Sequence, residues 1–359
     1  MKLACLTRYD ELGASSRVRF IQYAAPLVHA SAGLTLAMQH LLDARYLRRK
    51  YARQGVLAAT LRCYARRAMS SELRSTPDAW WIEKELWPFA PAWLELALLQ
   101  RAPYVLDLDD AIFHNYDLHR YAAVRWLYGR KIDRLMAGAA LVTAGNDYLA
   151  QRAWDAGARW VEVLPTVVDL DRYPRPARAA LEAPDVLTIG WIGSPATSHY
   201  LLQLADPLKR LALKHRVRVL VIGGGEIDLP GVDVVALPWS EGTEVESIAR
   251  MDIGVMPLTD SPWERGKCGY KLIQYMACGA PVIASPVGVN TSVFVDSVNG
   301  FLARDAEDWY QALDRLAGDP GLRERLGAAG RARVESEYCL QVTAPRLAQW
   351  LQTIMQGTD

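Results

Sequence analysis

The sequence lacks the features that mark secreted, zinc-binding or membrane-spanning proteins. Its 359 residues include five cysteines and no CxxC pair, which argues against a disulfide framework and against structural zinc. No stretch approaches about 18 uninterrupted apolar residues, so we expect no membrane-spanning segment. The N-terminus, MKLACLTRYDELG, soon turns polar and lacks the apolar core of a signal peptide. A reducing cytoplasm is the compartment that these absences favour.

Net charge is also nearly absent. The 41 lysines and arginines balance 40 aspartates and glutamates, which leaves a formal charge of +1. Proteins held to nucleic acid by bulk charge are usually far more basic, so we expect no nucleic-acid partner. Only eight of the basic residues are lysines, so two lysines close together are worth noting.

Short β-type runs alternate with helical patterns, which predicts an α/β protein with parallel sheets covered by helices on both faces. We expect two doubly wound, Rossmann-like domains at 1–167 and 186–339, joined by a proline-containing linker at 168–185. The amphipathic segment 340–359 is expected to be helical and to pack on either domain, with the N-terminal one preferred. The predicted strands are 2–7, 79–84, 104–109, 140–144 and 161–165 in the first half, and 186–193, 217–223, 232–237, 253–258 and 281–286 in the second.

One junction between a strand and a helix has the chemistry of an anion site. Gly266, Lys267, Gly269 and Lys271 lie within six residues, directly before a predicted helix at 270–277. Backbone N–H groups at a helix N-terminus attract phosphate, glycine permits close approach, and lysines add positive charge. This pattern predicts a diphosphate site, although the GxxxxGK[ST] motif is absent. The alternative is a surface loop with two solvated lysines.

The same stretch, with its surroundings, resembles the group 1 (family 4) glycosyltransferases, which have the GT-B fold. The resemblance is carried by QYMACGAPVIAS, residues 274–285, and by further similar runs that follow the order of the family. Those runs are LPTVVDLDRY at 164–173, IGWIG at 189–193, VIGGGE at 221–226, SVNGFL at 297–302 and DPGLRERLGAAGR at 319–331.

Two charged pairs of that family are missing here. Its paired glutamates, a Glu-x7-Glu motif, fall on Gly266 and Gln274, and its usual arginine and lysine fall on Ser194 and His199. Gln274 can still hydrogen-bond a ribose, but as a neutral group. Charge for the donor diphosphate must then come from Lys267 and Lys271, with Arg265 as a third candidate.

The resemblance implies a donor site for a nucleotide-diphosphate sugar in the second domain. It implies that the proline–leucine pair after one strand and the glycine-rich turn flank the base, that Gln274 contacts the ribose, and that the lysine-bearing helix end binds the diphosphate. It also implies retention of anomeric configuration, and no metal or other cofactor. The donor-binding residues expected in this domain are Gly193, Ser194, Gly224, Glu226, Pro257, Leu258, Lys267, Gly269, Tyr270, Lys271 and Gln274.

The first domain offers candidates for the acceptor and for proton transfer. Gly13, Ser16 and Arg17 lie in the loop and helix after the first strand, where the family meets donor phosphates or the acceptor; Arg19 follows them. The alternative is an ordinary helix capped by one of the serines there.

A second candidate cluster follows the strand at 104–109. Asp109 and Asp110 fall where family members often carry a His-Asp pair, and His114 is an alternative proton carrier. Together with Lys271 they are the expected catalytic residues, although Asp110 is also suited to cap the following turn. Glu83 and Glu85 end another strand, and Asn146 is either a helix N-cap or a residue of the site.

Residues 45–74 carry nine basic residues and one glutamate in a helical pattern interrupted at Gly55. Such helices bind anionic lipid surfaces, so peripheral contact with the inner membrane face is one interpretation. A solvated face of an arginine-rich protein is the other.

The sequence therefore predicts a glycosyltransferase that moves a sugar to a hydroxyl of a glycan, a lipid-linked or a small-molecule acceptor, with a role in cell-envelope polysaccharide synthesis. Two alternatives stay open. One is a GT-B sugar-nucleotide enzyme that is not a transferase, such as a 2-epimerase or a phosphorylase. The other is a non-catalytic nucleotide-binding partner subunit, which the missing glutamate pair suggests.

Overall fold

The chain forms two compact units. The computed structural model describes residues 1–52, 54–174 and 186–357, so part of the predicted linker, 175–185, lies outside the described residues. Unit 1 comprises Met1–Thr166, Gly266–Cys268 and the segment from Leu340 onward, and unit 2 comprises Val167–Arg265 and Gly269–Cys339. Two segments from the second half of the sequence, Gly266–Cys268 and the one from Leu340 onward, thus pack with the first half.

Unit 1 is built on a parallel sheet of six strands in the order β2-β1-β3-β4-β5-β6. Its strands are β1 (Lys2–Tyr9), β2 (Thr35–Leu42), β3 (Ala79–Glu83), β4 (Tyr104–Leu108), β5 (Leu141–Ala144) and β6 (Val161–Val163).

The described helices of unit 1 connect and cover these strands, and a short 3-10 turn lies at Ile21–Tyr23. They are α1 (Ala14–Arg19), α2 (Ala24–Ala30), α3 (Ala44–Tyr51), α4 (Leu57–Ala68), α5 (Ser71–Arg74), α6 (Ala92–Leu99), α7 (His114–Asp117), α8 (Ala122–Tyr128), α9 (Lys131–Gly138) and α10 (Asp147–Asp155).

Unit 2 repeats the architecture with a parallel sheet in the order β12-β11-β10-β7-β8-β9. Its strands are β7 (Leu187–Ile192), β8 (Val217–Ile222), β9 (Asp233–Leu237), β10 (Ile253–Met256), β11 (Val282–Ala284) and β12 (Gly300–Leu302).

A 3-10 helix at Ser198–Leu204 opens the helical layers of unit 2, and the last helix of the chain belongs to unit 1. The helices are α11 (Ala205–Ala212), α12 (Glu244–Ala249), α13 (Pro262–Arg265), α14 (Tyr270–Ala277), α15 (Asn290–Val293), α16 (Ala306–Gly318), α17 (Pro320–Glu337) and α18 (Leu340–Gln356).

The central strands are nearly continuous apolar runs, as parallel strands covered on both faces must be. Every residue of β3 and β7 is buried. The predicted α/β scheme with two parallel sheets is confirmed. Two strands were missed, β2 and β12. Both are edge strands; TLAMQHLL carries Gln39 and His40 among its apolar residues, and β12 has three residues, too few for a clear pattern.

Helix α18 packs on unit 1. The Tyr23 hydroxyl and the Thr343 hydroxyl lie 2.7 Å apart, and Gln352 donates to the Ser31 hydroxyl at 2.8 Å. Its apolar stripe, which includes Leu347 and Leu351, is buried. The C-terminal segment is thus a structural part of unit 1.

Candidate functional sites

Unit 1 gathers charged side chains where β3 and β4 end. The carboxyl ends of parallel strands lie at one edge of a sheet, and ligands of α/β proteins bind at that edge. The Lys84 ammonium lies 2.8 Å from Asp109 Oδ1, 3.4 Å from Asp110 Oδ2 and 3.4 Å from the Ser15 hydroxyl. Lys84 and Asp109 are buried, whereas about a third of the Asp110 side chain is exposed, at 32%. Asp110 is therefore the carboxylate of this cluster that reaches solvent.

Lys84 has a left-handed backbone, with φ at 68°. A residue with a side chain adopts this conformation at a cost of about 1–3 kcal/mol, and such residues concentrate at functional sites. Sequence reasoning singled out the flanking Glu83 and Glu85 but missed Lys84. The available signal was that one of only eight lysines lies between two glutamates at a strand end.

The surroundings shift the pKa values of the two aspartates in opposite directions. Burial raises the pKa of Asp109, but the nearby ammonium of Lys84 and guanidinium of Arg19 outweigh it and hold that pKa below its usual value. Burial raises the pKa of Asp110, and the charge on Asp109 adds to it against the pull of Lys84 and Lys267. Adjacent carboxyl groups with separated pKa values are typical of acid–base sites.

The Lys84 ammonium stays charged in this environment. Burial alone would lower its pKa, but the carboxylates of Asp109, Asp110 and Glu83 raise it well above the usual value. A buried ammonium that faces several carboxylates stabilises their ionised forms, and removal of one partner leaves an uncompensated charge.

Ser16 is buried and connects Glu83 of this cluster with β1. It donates to Glu83 Oε2 at 2.5 Å and accepts from the backbone N–H of Tyr9 at 2.9 Å. The N-cap of α1 is Gly13, not a serine, so the expected serine cap is wrong. Glycine is needed there because a Cβ would lie 2.3 Å from Tyr9 Cβ. The donor-binding role of both residues stays a prediction.

The arginines of α1 are buried as well. Arg17 donates to the Glu11 carbonyl at 3.2 Å. Arg19 forms a bidentate pair with Asp107 at 2.5 and 2.9 Å and donates to the Leu164 carbonyl at 2.6 Å. Arg19 therefore ties α1 to the sheet, and its guanidinium is occupied inside the protein.

Glu85 belongs to a second buried ionic network. It pairs with Lys131 at 2.7 Å and with Arg8 at 3.1 Å, and Lys131 also lies 2.8 Å from Glu95. These four residues link β1, the loop after β3, α6 and α9.

Both ring nitrogens of His114 have partners. Nδ1 lies 2.8 Å from Asp117 Oδ1, and Nε2 lies 2.8 Å from the Tyr148 hydroxyl. A proton carrier needs one nitrogen within reach of its substrate. The arrangement therefore favours Asp110 over His114 for that role.

Asn146 is a helix N-cap and also a tether. Its side-chain oxygen accepts from the backbone N–H of Leu149, and its amide donates to the Lys267 carbonyl, both at 2.9 Å. Cys268 of the same tethered segment donates through Sγ to the Asp109 carbonyl at 2.8 Å. These bonds place Gly266–Cys268 against the carboxyl end of β4.

The same packing explains why glycine occupies position 266. A Cβ on Gly266 would lie 2.4 Å from Ala111 Cβ and 2.7 Å from the Ala111 backbone nitrogen. No side chain fits at that distance. The first glutamate of the family motif is thus sterically excluded at this position.

In unit 2, glycines allow close packing at the carboxyl ends of β7 and β8. A Cβ on Gly193 would lie 2.4 Å from the Trp191 ring and 3.0 Å from Lys271 Cε, and one on Gly224 would lie 2.8 Å from the Trp191 ring. Gly223, at φ 73°, approaches the Gly193 carbonyl, from which a Cβ would be only 2.5 Å away. Both loops therefore need glycine.

Helix α14 begins beside these two glycine-containing loops. Its N-cap, Gly269, is left-handed at φ 64°, and its first turn contains no acidic residue. The Lys271 ammonium lies 5.3 Å from the centroid of the Trp191 ring, a cation–π distance. The combination of helix N-terminus, lysine and glycine loops suits an anionic group of a ligand.

Gln274 is buried and faces a hydrogen-bonded chain. Its amide donates to the Tyr173 hydroxyl at 2.9 Å, and that hydroxyl donates to Glu244 at 2.8 Å. Trp239 also donates to Glu244, at 2.7 Å. Because the single Tyr173 proton goes to Glu244, position 274 must supply a donor, which an ionised glutamate cannot do. Glutamine therefore fits here better than the second glutamate of the family motif.

The remaining predicted residues lie at the same strand ends but show weaker signals. Ser194 is half-buried with its hydroxyl 3.5 Å from that of Thr197, and Glu226 is exposed. Pro257 and Leu258 are buried after β10, where Leu258 donates to the Ser285 hydroxyl at 3.0 Å.

Tyr270 is half-buried at the start of α14. Lys267 belongs to unit 1 and Lys271 to unit 2, so the two lysines that sequence reasoning joined in one site belong to different units. Within the described ranges, no group of three or more His, Cys, Asp or Glu side chains is arranged to hold a metal ion. Nor does any helix described there have the length and hydropathy needed to cross a membrane.

Comparison with known proteins finds a family match in the second half of the chain. Residues 183–319 match the family model of glycosyl transferases group 1. A D-inositol 3-phosphate glycosyltransferase of Saccharomonospora viridis is 31% identical over 51% of this chain and 48% of that protein, and one of Actinosynnema mirum is 31% identical over 56% and 55%. The chain thus spans about half the length of the curated relatives it matches.

Solved structures resemble the chain over its whole length. Sucrose-phosphate synthase of Thermosynechococcus elongatus has a TM-score of 0.72 at 16% identity and full coverage of both chains. Anabaena Alr3699/HepE in complex with UDP-glucose has a TM-score of 0.68 at 16% identity, with coverage of 98% and 99%. The chain therefore has the GT-B fold, and its residues 183–319 are similar to glycosyl transferases group 1.

Proposed function

We propose that the protein is a glycosyltransferase that moves a sugar from a nucleotide-diphosphate donor to a hydroxyl acceptor. The single observation that carries the proposal is the group 1 glycosyltransferase match across the strands and helix that surround Lys271. In this proposal unit 2 binds the donor and unit 1 presents the acceptor.

Three features of unit 2 support a donor site. The glycines after β7 and β8 let both loops pack closely beside Lys271, α14 presents its positive end, and Lys271 adds a cation held over Trp191. Negative charge develops on the diphosphate as the sugar departs, and preorganised N–H groups and cations stabilise that charge. These groups supply this stabilisation without a metal, and we propose transfer of that kind.

Two features of unit 1 support an acceptor site. Asp110 reaches solvent beside a buried Lys84–Asp109 pair, and its pKa is raised. A carboxylate with a raised pKa accepts a proton more readily than an ordinary aspartate. We propose that Asp110 contacts the acceptor hydroxyl.

The finer assignments rest on the family resemblance. We propose retention of anomeric configuration, UDP as the first nucleotide to examine, and a glycan or lipid-linked acceptor of the cell envelope. Contact of residues 45–74 with an anionic membrane is supported by Leu57 and Leu61, which are exposed at 74% and 61%. Arg67 of that run, by contrast, is buried and donates to the Leu86 and Gln39 carbonyls.

The donor site is tested by replacement of one lysine. Lys271→Ala is expected to weaken binding of UDP or GDP at least tenfold, because a charge-assisted phosphate contact contributes about 1.5–3 kcal/mol. Lys209→Ala removes an exposed lysine of the same unit and is the matched control. Isothermal titration calorimetry measures both affinities.

Unchanged affinity in Lys271→Ala would remove the phosphate assignment. A thermal-shift screen of UDP-, GDP- and ADP-sugars then separates transferase from partner subunit: a stabilising donor that is consumed only when an acceptor is added supports transfer. Binding without turnover of any donor, across a panel of glycan and lipid-linked acceptors, would contradict it.

A further inference from the structure

Helix α8 carries exposed aromatic and aliphatic side chains, although Val124 and Tyr128 are half-buried. None of its seven residues is buried. Trp126 is exposed at 86%, and Leu127 and Tyr121 at 55% each, with Leu118 close by at 58%. Single exposed apolar side chains are ordinary, but a tryptophan, a tyrosine and two leucines within ten residues form a patch that marks an interaction surface.

The charge of this segment has one sign. Residues 118–132 contain Arg120, Arg125 and Arg130 and no acidic residue. We call Leu118, Tyr121, Trp126 and Leu127, with these three arginines, the α8 surface.

Its arginines have little internal compensation. Arg125 donates to the His119 and Arg120 carbonyls at 2.6 and 3.2 Å, and Arg120 lies over the Tyr121 ring at 4.5 Å. Among the described residues, Arg130 is the member with a carboxylate partner, and that contact with Asp133 is long, at 3.9 Å. The α8 surface therefore presents uncompensated positive charge beside exposed aromatic and aliphatic side chains.

We propose that the α8 surface docks on an anionic lipid bilayer. Tryptophan and tyrosine side chains favour the headgroup level of a bilayer, leucines enter the acyl boundary, and arginines attract anionic headgroups. Charge complementarity favours an anionic bilayer over a neutral apolar partner, because a neutral partner offers the three arginines no opposite charge. Short amphipathic segments with this composition lie in the interface plane and do not span it.

The position of the α8 surface in the fold connects docking with the proposed acceptor site. The connection between β4 and β5 carries Asp110 and, eight residues later, Leu118. The chain between them spans no more than about 28 Å. If Asp110 serves the proposed transfer, docking at α8 brings that carboxylate near acceptors held in the membrane. This last step rests on the proposed function, whereas the docking itself does not.

The proposal is tested by co-sedimentation of the full chain with vesicles, with no donor or acceptor present. The wild type is expected to bind vesicles of phosphatidylcholine and phosphatidylglycerol at 3:1 and to be released by 0.5 M salt, because screening removes the headgroup attraction. Pure phosphatidylcholine vesicles are expected to bind much less.

Two double variants localise the contact. Trp126→Ala with Leu127→Ala is expected to lower the partition coefficient at least tenfold. Arg120→Gln with Arg125→Gln is expected to lower it roughly fivefold for each arginine on the anionic vesicles. Matched controls are Trp154→Ala with Leu213→Ala, which are exposed at 49% and 85%, and Arg304→Gln with Arg325→Gln, which are exposed in unit 2.

The outcomes separate the alternatives. Wild-type-like binding of both α8 variants, or no binding of the wild type at low salt, overturns the proposal. Loss of binding only in Leu57→Ser with Leu61→Ser would assign the membrane contact to residues 45–74 instead. A dimer in light scattering that disappears with Trp126→Ala, without vesicle binding, would make the α8 surface an interface between copies. Loss of transfer activity in a variant that still binds vesicles bears on the proposed function alone.

Discussion

The two units share one architecture but end their sheets with opposite chemistry. At the carboxyl edge of unit 1, Lys84, Asp109 and Glu83 form buried ionic contacts around a strained backbone. At the same edge of unit 2, glycines replace side chains, and Lys271 rests on Trp191. One edge is built from fixed charges, the other from closely packed glycine loops and a cation.

This difference suits two different ligands. Fixed, opposed carboxyl and ammonium groups tune proton affinity, which a hydroxyl acceptor requires. A helix N-terminus beside a lysine suits a diphosphate. The contrast predicts that variants in unit 1 mainly change stability and proton transfer, whereas variants at Lys271 mainly change nucleotide affinity.

The largest expected effect is on the free energy of unfolding. Lys84→Met removes the ammonium from between buried carboxylates, and an uncompensated buried charge costs about 3–5 kcal/mol. Methionine also has a Cβ, so the strain of the left-handed backbone at position 84 remains and does not offset this loss of stability. Urea denaturation monitored by circular dichroism measures the loss.

Lys214→Met is the matched control for that measurement. Lys214 pairs with Asp314 at 2.7 Å but is exposed at 56%, and exposed pairs contribute less than about 1 kcal/mol. Equal losses of unfolding free energy in Lys84→Met and Lys214→Met would show that burial does not strengthen the ion pairs of Lys84.

The next effect concerns the hydrogen-bonded chain in unit 2. Gln274→Glu restores the charge of the family motif but removes the donor to Tyr173 and adds a carboxylate near Glu244. We expect a loss of about 1–3 kcal/mol at neutral pH, the cost of an unsatisfied buried polar group.

The pH dependence of that loss has a definite sign. A protonated glutamate can donate, so its folded-state pKa should be raised above the usual value of about 4.3. The penalty is then largest above the folded pKa and is relieved as pH falls toward the unfolded one. Gln274→Leu, which cannot titrate, is the control. A loss of stability in Gln274→Glu that does not depend on pH would mean that the Tyr173 hydroxyl does not require a hydrogen-bond donor at position 274.

Sequence reasoning predicted the architecture because parallel strands and their capped helices have strong local patterns. Helix α14 was predicted with its observed bounds, since Gly269, an apolar face and Gly279 delimit it. Positions 266 and 274 were recognised as departures from the family, but their causes were not visible. Ala111, which crowds Gly266, and Tyr173, which accepts from Gln274, lie about 100 residues or more away in sequence, and only folding brings each to its partner.

Lys84 shows the same limit in unit 1. A lysine between two glutamates resembles a solvated charge run, because local sequence does not reveal burial. What makes it distinctive is the meeting of β3 and β4 at one sheet edge, which places Asp109 and Asp110 around it. Ion pairs of this kind join separate elements, so no single segment encodes them.

Asp110→Asn is expected to change stability least, and its effect on transfer activity is the most informative. The raised pKa of Asp110 means that its ionised form opposes folding, whereas the lowered pKa of Asp109 means that its ionised form favours it. Because Asp110 is partly exposed, Asp110→Asn should change the unfolding free energy by less than about 1 kcal/mol. Asp109→Asn should cost more, and that loss should shrink as pH falls below the usual value of about 3.9.

Transfer rates then separate the roles of the two aspartates. If Asp110 accepts the acceptor proton, Asp110→Asn should lower the rate by about 10²–10⁴-fold with unchanged nucleotide affinity. The wild-type rate should then fall on acidification at a pH above the ordinary aspartate range. Inverted product configuration would accompany that role. A nearly active Asp110→Asn that gives retained product would instead assign proton acceptance to the departing phosphate and leave Asp110 to orient the acceptor.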